Sequence, residues 1–493
     1  MAPATMQFEF GFGPRPARAR AASAPRRLLV IADLGGTRDV PLAERRAHAV
    51  DVDSFSQVFA RLMPSVSIDV DGLALAIGFE SIDDFHPDRL FERLPVFDAL
   101  RQLRAELADP VQFRRAAAAL GLSASAAQKA PPATAADAAA DIERLLGRKP
   151  TVAAGAAPTT QMLERWLHDL VAPHVRPDTA GEQRALLAAA DGAIGTLMRR
   201  LLQHPRLQAL EAAWLGIDRL VRGLELGERL ELSVLDAGAD EIEADLAAQR
   251  ADLAGSALHR HLCGAAHEAP DAGRWSLWVL DRDFGPTAAE VQLLAALGAI
   301  AARTGAPLLA GAKPQTAGCA SRAQLSDPRL WKPAEAPELA HLAALRAAPM
   351  APWIGLVLPR VLMRLPYGGS GGERIASFDF EEMPAPPEHD AYRWGCGALA
   401  AALLAGRALQ GESIDLDAEL DLDDLPSHIV REPGGAHQQP CAELLLGEEA
   451  GAALLARGLM PLLSWRDRPA VRLMRWQSIA APNAPLRGMA RDP

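Results

Sequence analysis

Four cysteines in 493 residues, Cys263, Cys319, Cys396 and Cys441, form no C-x-x-C pair. That spacing argues against a zinc site or a disulfide framework and for buried free thiols in a reducing compartment. No uninterrupted apolar run reaches the roughly 18 residues a spanning helix requires. The opening segment MAPATMQFEFGFGPRPARAR places its arginines after its short apolar part, the reverse of a secretory leader. A cytoplasmic chain without membrane insertion is expected. Aromatic residues make up 5%, too few to suggest a surface that stacks bases or sugars, and a net charge of −11 gives no global attraction to nucleic acid.

Catalytic signatures are equally scarce. No G-x-S-x-G elbow occurs, and Asp283-Phe284-Gly285 stands without the H-R-D and V-A-I-K segments that would make it a kinase metal motif. The glycine-rich loop Gly368–Gly372 lacks the Lys-Ser/Thr of a phosphate loop. His389-Asp390 could be half of a metal pair, but a metal site needs three or four converging ligands. His259 and His261, two apart, would point to different faces of a helix. Asp33-Leu34-Gly35-Gly36-Thr37 has the form of a sugar-kinase phosphate loop, but no alternating hairpin strand and second Asp-Gly loop follow it. No catalytic, cofactor-binding or metal-binding residue is expected.

What is present is ordinary globular material, 49% hydrophobic and 23% charged, in a chain long enough for two or three domains. Ile354–Leu358 is a short apolar run suited to a strand buried on both faces, stopped by Pro359. One helical turn over Val361–Leu365 would place Arg360 and Arg364 on the same side. Pro366–Gly372 must be a loop, and Phe378 and Phe380 alternate with Asp379, Glu381 and Glu382 as an edge segment with its acids outside.

Taken in order, Gln7–Phe12 reads as a strand free to pair at a distance, and Arg27–Asp33 as a buried strand. Asp53 or Ser54 caps a helix with Phe55, Val58, Phe59 and Leu62 on one face, closed by Pro64. Val66–Phe79 turns at Asp71-Gly72. Asp88–Leu107 reads as a helix with Leu90, Leu94, Phe97, Leu100 and Leu103 inward and a proline near its first third. The alanine-rich and proline-rich stretch 116–160 reads as a tether between two domains. Beyond it come helices over Gln161–Leu170, Glu182–Leu202 and His204–Val221, the last with Leu207, Leu210, Trp214, Ile217 and Leu220 on one face. Core strands Leu230–Leu235, Trp275–Leu280 and Pro307–Ala310 are interleaved with helices Asp240–Leu246, Leu253–His261 and Thr287–Thr304. That alternation predicts an α/β (mixed α+β) fold whose main sheet is covered by helices.

Several of these segments, in this order, resemble the contractile sheath of bacterial type VI secretion, a relative of phage tail sheaths. LPRVLMRLPYG, FDFEE and HDAYRWGCGALAAALL, the helix HPRLQALEAAWLGIDRLV, and DLPSH, PCAELLLGEEAGAALLARGLMPLL and RWQSIA are similar to its large, VipB-like subunit. Residues 27–107 resemble the small, VipA-like subunit. The resemblance implies an arm at 1–26, a small-subunit-like domain at 27–115, a tether at 116–160 and a large-subunit-like domain at 161–493 without the usual C-terminal region.

It further implies a non-enzymatic structural subunit that polymerises around an inner tube and contracts to propel it. Its expected partners are copies of itself or other sheath subunits, the tube protein, baseplate components and an AAA+ disassembly ATPase. Without the C-terminal region the chain could instead act as a cap, adaptor or initiator, and a sugar-kinase-like phosphotransferase is a remote alternative. Expected assembly residues are Gln7, Phe8, Phe10 and Phe12 of the arm, and Arg360, Arg364 and Arg374 set against Asp415, Asp417 and Asp421 of the acidic ribbon Glu412–Asp424.

Overall fold

The structure is a computed structural model and describes residues 25–36, 39–109, 111–119, 182–268, 274–369, 372–432 and 435–489. The expected arm Gln7–Phe12, nearly all of the tether, and the helix Gln161–Leu170 lie outside the described residues.

The first strand, β1 (Arg26–Ala32), is buried along Leu28–Ala32, as its continuous apolar run requires. After it come β2 (His48–Ala49) and α1 (Phe55–Leu62). Asp51 and Ser54 fix the entry to α1 by mutual hydrogen bonds, and Met63 ends the helix in the left-handed conformation at φ 47°. The hairpin β3 (Ser65–Val70) and β4 (Leu73–Gly78) turns through Asp71 and Gly72, both at positive φ as a two-residue turn demands.

The pattern over Asp88–Leu107 is cut in two at Leu94-Pro95, giving α2 (Pro87–Arg93) and α3 (Asp98–Ala108). The spacing alone predicts one helix, but a proline removes a hydrogen bond and crowds the preceding turn. α4 (Phe113–Ala119) closes this part.

The larger part opens with α5 (Glu182–Leu202) and α6 (Pro205–Gly223). Next in the chain are β5 (Leu230–Asp236), α7 (Ala239–Ala248), α8 (Ala257–Glu268) and β6 (Leu277–Phe284). The expected helix Leu253–His261 begins only at Ala257, because Asp252 caps a short 3-10 turn over Leu253–Gly255 first. Then follow α9 (Ala288–Thr304), β7 (Leu308–Ala312), α10 (Ala340–Arg346), β8 (Ile354–Leu358) and β9 (Val361–Arg364). The expected helical turn at Val361–Leu365 is therefore a strand, paired antiparallel with β10 (Arg393–Gly395). β-branched Val361 and the buried Leu362 and Met363 suit that pairing. The chain continues as α11 (Gly397–Gln410), β11 (Asp421–Leu422), the hairpin β12 (Ile429–Glu432) and β13 (Gly435–Gln438), α12 (Glu448–Ala456), β14 (Met460–Ser464) and β15 (Val471–Leu473).

Nine strands form one sheet in the order β11-β15-β14-β8-β7-β6-β1-β5-β2. The six from β14 to β5 are parallel to their neighbours, while β15, β11 and β2 join antiparallel at the margins. The N-terminal strand β1 is interior to this sheet, paired with β5 over all seven of its residues and with β6 over Leu28–Ile31. One sheet face is covered by α6, α11 and the N-terminal elements, the other by α7 to α10 and α12. The close approach of α6 and α11 depends on glycine, since a Cβ on Gly216 would lie 2.5 Å from Leu399 Cδ1 and one on Gly223 2.8 Å from Leu403 Cδ1.

Candidate functional site

The sequence brings one cluster of four charged residues together in the interior. Glu211 lies on the apolar stripe of α6, four residues after Leu207 and three before Trp214, and is 1% exposed. Arg364 ends β9, Arg393 begins β10, and Glu382 closes the FDFEE segment. Arg364 donates to Glu382 at 2.7 and 3.0 Å and pairs with Glu211 through Nε. Arg393 Nε lies 2.7 Å from Glu211 Oε2, while its Nη2 donates to the Leu202 carbonyl at 3.0 Å. The Tyr367 amide donates to Glu382 at 2.8 Å, and its ring lies under the Arg364 guanidinium, 4.1 Å from the centroid.

Two cations thus meet two anions with little water, the condition under which an ion pair is costly to break. Burial pushes the Glu211 carboxyl up, but Arg364 and Arg393 outweigh it and hold it below the usual range. Burial likewise opposes the charge on Arg364, and Glu211 and Glu382 more than compensate, holding its pKa well above normal. In Arg393 burial dominates and the pKa is lowered.

A second cluster lies just past the C-terminal end of β8. Arg360 donates to Glu443 through Nη2 at 2.6 Å and through its backbone N–H at 3.1 Å. His389 bridges Glu443 (3.1 Å) and Asp390 (2.7 Å) and stacks on Trp394. Burial would raise the Glu443 carboxyl, but His389 and Arg360 bring it down to about 2.

Third is the junction between the N-terminal part and the rest. Asp88 accepts from the N–H of Ala376 at 3.0 Å and of Ser377 at 2.9 Å. Burial favours the protonated form of Asp88, and these two amides outweigh it and lower the pKa. Arg104 of α3 meets Asp191 of α5 at 2.6 Å, and Asp71 of the hairpin turn pairs with Arg200. Arg206 donates to the Ser67 carbonyl at 3.0 Å. Beneath these contacts Phe91 packs on Phe378, and Phe55 and Phe59 on Trp214, whose Nε1 donates to the Leu34 carbonyl.

The phosphate-loop lookalike belongs to this junction. The Leu34 amide donates to Asp236 at 2.8 Å. Gly35 stands at φ +70°, where a Cβ would lie 2.7 Å from the Ser65 carbonyl oxygen. The glycines there let β1 run closely past the β3–β4 hairpin. Asp283 is hydrogen-bonded to Cys396, and His389-Asp390 is occupied by Glu443 and Arg322. Among the described residues no group of three His, Cys, Asp or Glu side chains is placed to hold a metal ion.

The expected assembly residues separate in space. Gln7, Phe8, Phe10 and Phe12 lie outside the described residues. Arg364 is interior, so the expectation that it offers a free charge to a neighbouring subunit is corrected: its guanidinium is saturated within the chain. Glu382, expected outside, is 1% exposed. Arg360 is bound to Glu443, Arg374 is exposed, and Asp415 and Asp417 are exposed on the ribbon while Asp421 pairs with Arg472 at 3.3 Å. Sequence reasoning placed Glu382 outside and passed over Glu211 and Arg393. Glu211, an acid on a helix's apolar stripe, carried a usable signal.

Against known proteins, residues 184–480 match the VipB family, described as a tail sheath N-terminal domain. Residues 18–114 match the VipA family of the type VI secretion system. The type VI secretion system sheath protein TssC1 of Pseudomonas aeruginosa is 27% identical over 306 residues, covering 60% of this chain and 61% of the relative. The sheath protein TssB1 of the same organism is 31% identical over 94 residues, covering 17% of this chain and 55% of the relative. The chain spans less than two thirds of the length of either. Among the described residues no helix is long and apolar enough to cross a membrane.

Proposed function

We propose that this chain, which belongs to the VipB tail sheath family and carries a VipA-like part ahead of it, is a structural subunit of a type VI secretion sheath that unites both sheath components in one polypeptide. In this reading copies stack around an inner tube, store energy in an extended lattice and release it by contraction, with baseplate components at one end and an AAA+ ATPase to recycle the contracted form. The two sheath components correspond to residues near 27–115 and 161–493.

The observation that carries the reading is the interior position of β1. A strand from the VipA-like part is the central partner of β5 and β6 in the VipB-like sheet, so the two parts share one core and must move as one body. A sheath needs that rigidity, because force passes between neighbours only if each subunit resists internal shear. The buried Arg364–Glu211–Arg393–Glu382 cluster adds to it by tying α6, β9, β10 and the 376–382 segment together.

Ultracentrifugation of the purified protein tests the proposal. Particles far heavier than a monomer, which shift toward monomer as salt is raised, are the expected outcome. A monomer at every concentration and ionic strength would remove the polymer from the reading.

A further inference from the structure

We infer that the groove between α7 and α9 is a docking site for the chain's own segment Gln7–Phe12, and that it takes an aromatic side chain of that segment within the same polypeptide. The site is independent of the sheath reading, and either can fail without the other.

The groove holds a cavity of about 180 Å³. Its floor is Leu246 of α7, Leu253 of the 3-10 turn that follows, and Leu293 and Ala296 of α9, all four buried. Glu243 and Arg250 stand at its rim. An apolar cavity of roughly 150 Å³ takes up benzene, so this one has room for a single phenyl ring. Its occupant should therefore be a short segment led by one aromatic residue, with charges of both signs beside it.

Gln7–Phe12 has that composition. Three of the chain's 13 phenylalanines, Phe8, Phe10 and Phe12, fall within it, and an alanine, proline and arginine stretch separates it from β1. So much apolar surface in so few residues calls for a partner. Glu9 lies between two of the rings, and Arg15 and Arg18 come after them. At the groove, Arg250 is exposed and meets no acid among the described residues, while Glu243 is half-exposed although it pairs with Arg282. Acid, ring and base in the segment thus answer base, cavity and acid in the groove.

The connection is long enough. Leu29 and Ile31 of β1 belong to the same core as the four floor residues, so β1 begins on the layer beneath the groove. The residues between Phe12 and Arg26 reach about 45 Å when extended, more than the whole of α9, which is about 25 Å long. A tether of that length presents the segment to the groove at an effective concentration on the order of millimolar, so a single ring and a rim charge suffice to hold it.

The test uses the full chain with Gln7 replaced by a benzophenone-bearing phenylalanine, which leaves all three rings in place. After irradiation, crosslinked peptides are mapped by mass spectrometry and the products are run on a denaturing gel. Crosslinks to residues 243–253 or 289–296, in a product of monomer mass whose yield does not change on dilution, are expected. Ala296→Trp, which fills the cavity, should lower that yield at least tenfold. Arg250→Glu, an exposed change that leaves the melting temperature as it was, should lower it at least threefold, and adding Glu9→Arg should restore it.

Crosslinks confined to other parts of the chain, or a yield indifferent to both Ala296→Trp and Arg250→Glu, would overturn the inference. A product of twice the chain's mass would place the segment on another copy and overturn it as well.

Discussion

Arg364 and Glu382, 18 residues apart in sequence, share a two-pronged ion pair of 2.7 and 3.0 Å with the carboxylate side chain 1% exposed. The pair closes the loop between β9 and the 376–382 segment, and Glu211 and Arg393 complete it from α6 and β10. Removing one member leaves an uncompensated charge in the interior, whereas the intact set is neutral.

Arg364→Ala should therefore destabilise the fold by about 3–5 kcal/mol. Arg364→Lys should recover only part of this, because an ammonium cannot serve both carboxylates in the planar geometry of a guanidinium. Chemical denaturation of the three proteins measures the difference. A loss under about 1 kcal/mol for Arg364→Ala, the range of surface pairs, would contradict the buried-cluster account.

Two buried carboxylates give opposite pH dependences. Glu443 has its pKa depressed to about 2, so its contribution is present above its ordinary pKa and is lost as pH falls through about 2. Glu443→Gln should thus cost stability at neutral pH. Asp281, within β6, has its pKa pushed up to about 7 by burial first and then by Asp283 and Asp33. Its destabilising effect grows as pH rises from the unfolded carboxylate pKa toward about 7 and is constant beyond. Asp281→Asn should match the parent below about pH 4 and melt higher than it at pH 8; equal melting at pH 8 would contradict this.

Much of the core was legible because its physics is local. Ile354–Leu358 and, within the expected Arg27–Asp33, Leu28–Ala32 are continuous apolar runs, and both lie in buried strands. The α6 face Leu207, Leu210, Trp214, Ile217 and Leu220 was set by helical spacing and is buried throughout. The errors came where a distant partner decides the outcome. Val361–Leu365 fits a helical turn in isolation, but β10, some thirty residues later in the chain, supplies the antiparallel partner that makes it a strand. Arg364 and Glu382 read as surface charges because Glu211 and Arg393, their partners, are remote in sequence. That β1 lies inside the large sheet follows from long-range pairing that no local pattern encodes.

At Gly35, backbone conformation and space act together. A side chain there would be strained at φ +70° and would press on the Ser65 carbonyl. Gly35→Ala should destabilise by roughly 1–3 kcal/mol. Gly72, also at positive φ but with open space around it, should cost less on the same change. Thermal melts of both variants make the comparison.

Of the expected assembly charges, Arg374, Asp415 and Asp417 are exposed. Asp415→Lys with Asp417→Lys should leave the melting temperature within about 2 °C, as expected for exposed sites. The same pair of changes should alter the salt concentration at which polymers dissociate. An unchanged salt midpoint would take the ribbon out of the assembly surface.

The central claim, that this polypeptide builds a sheath by packing copies of itself, is tested most directly by electron microscopy of the purified full-length protein. Regular hollow tubes with a helical repeat are the predicted result. Discrete particles of fixed size, under every salt and concentration tried, would contradict it.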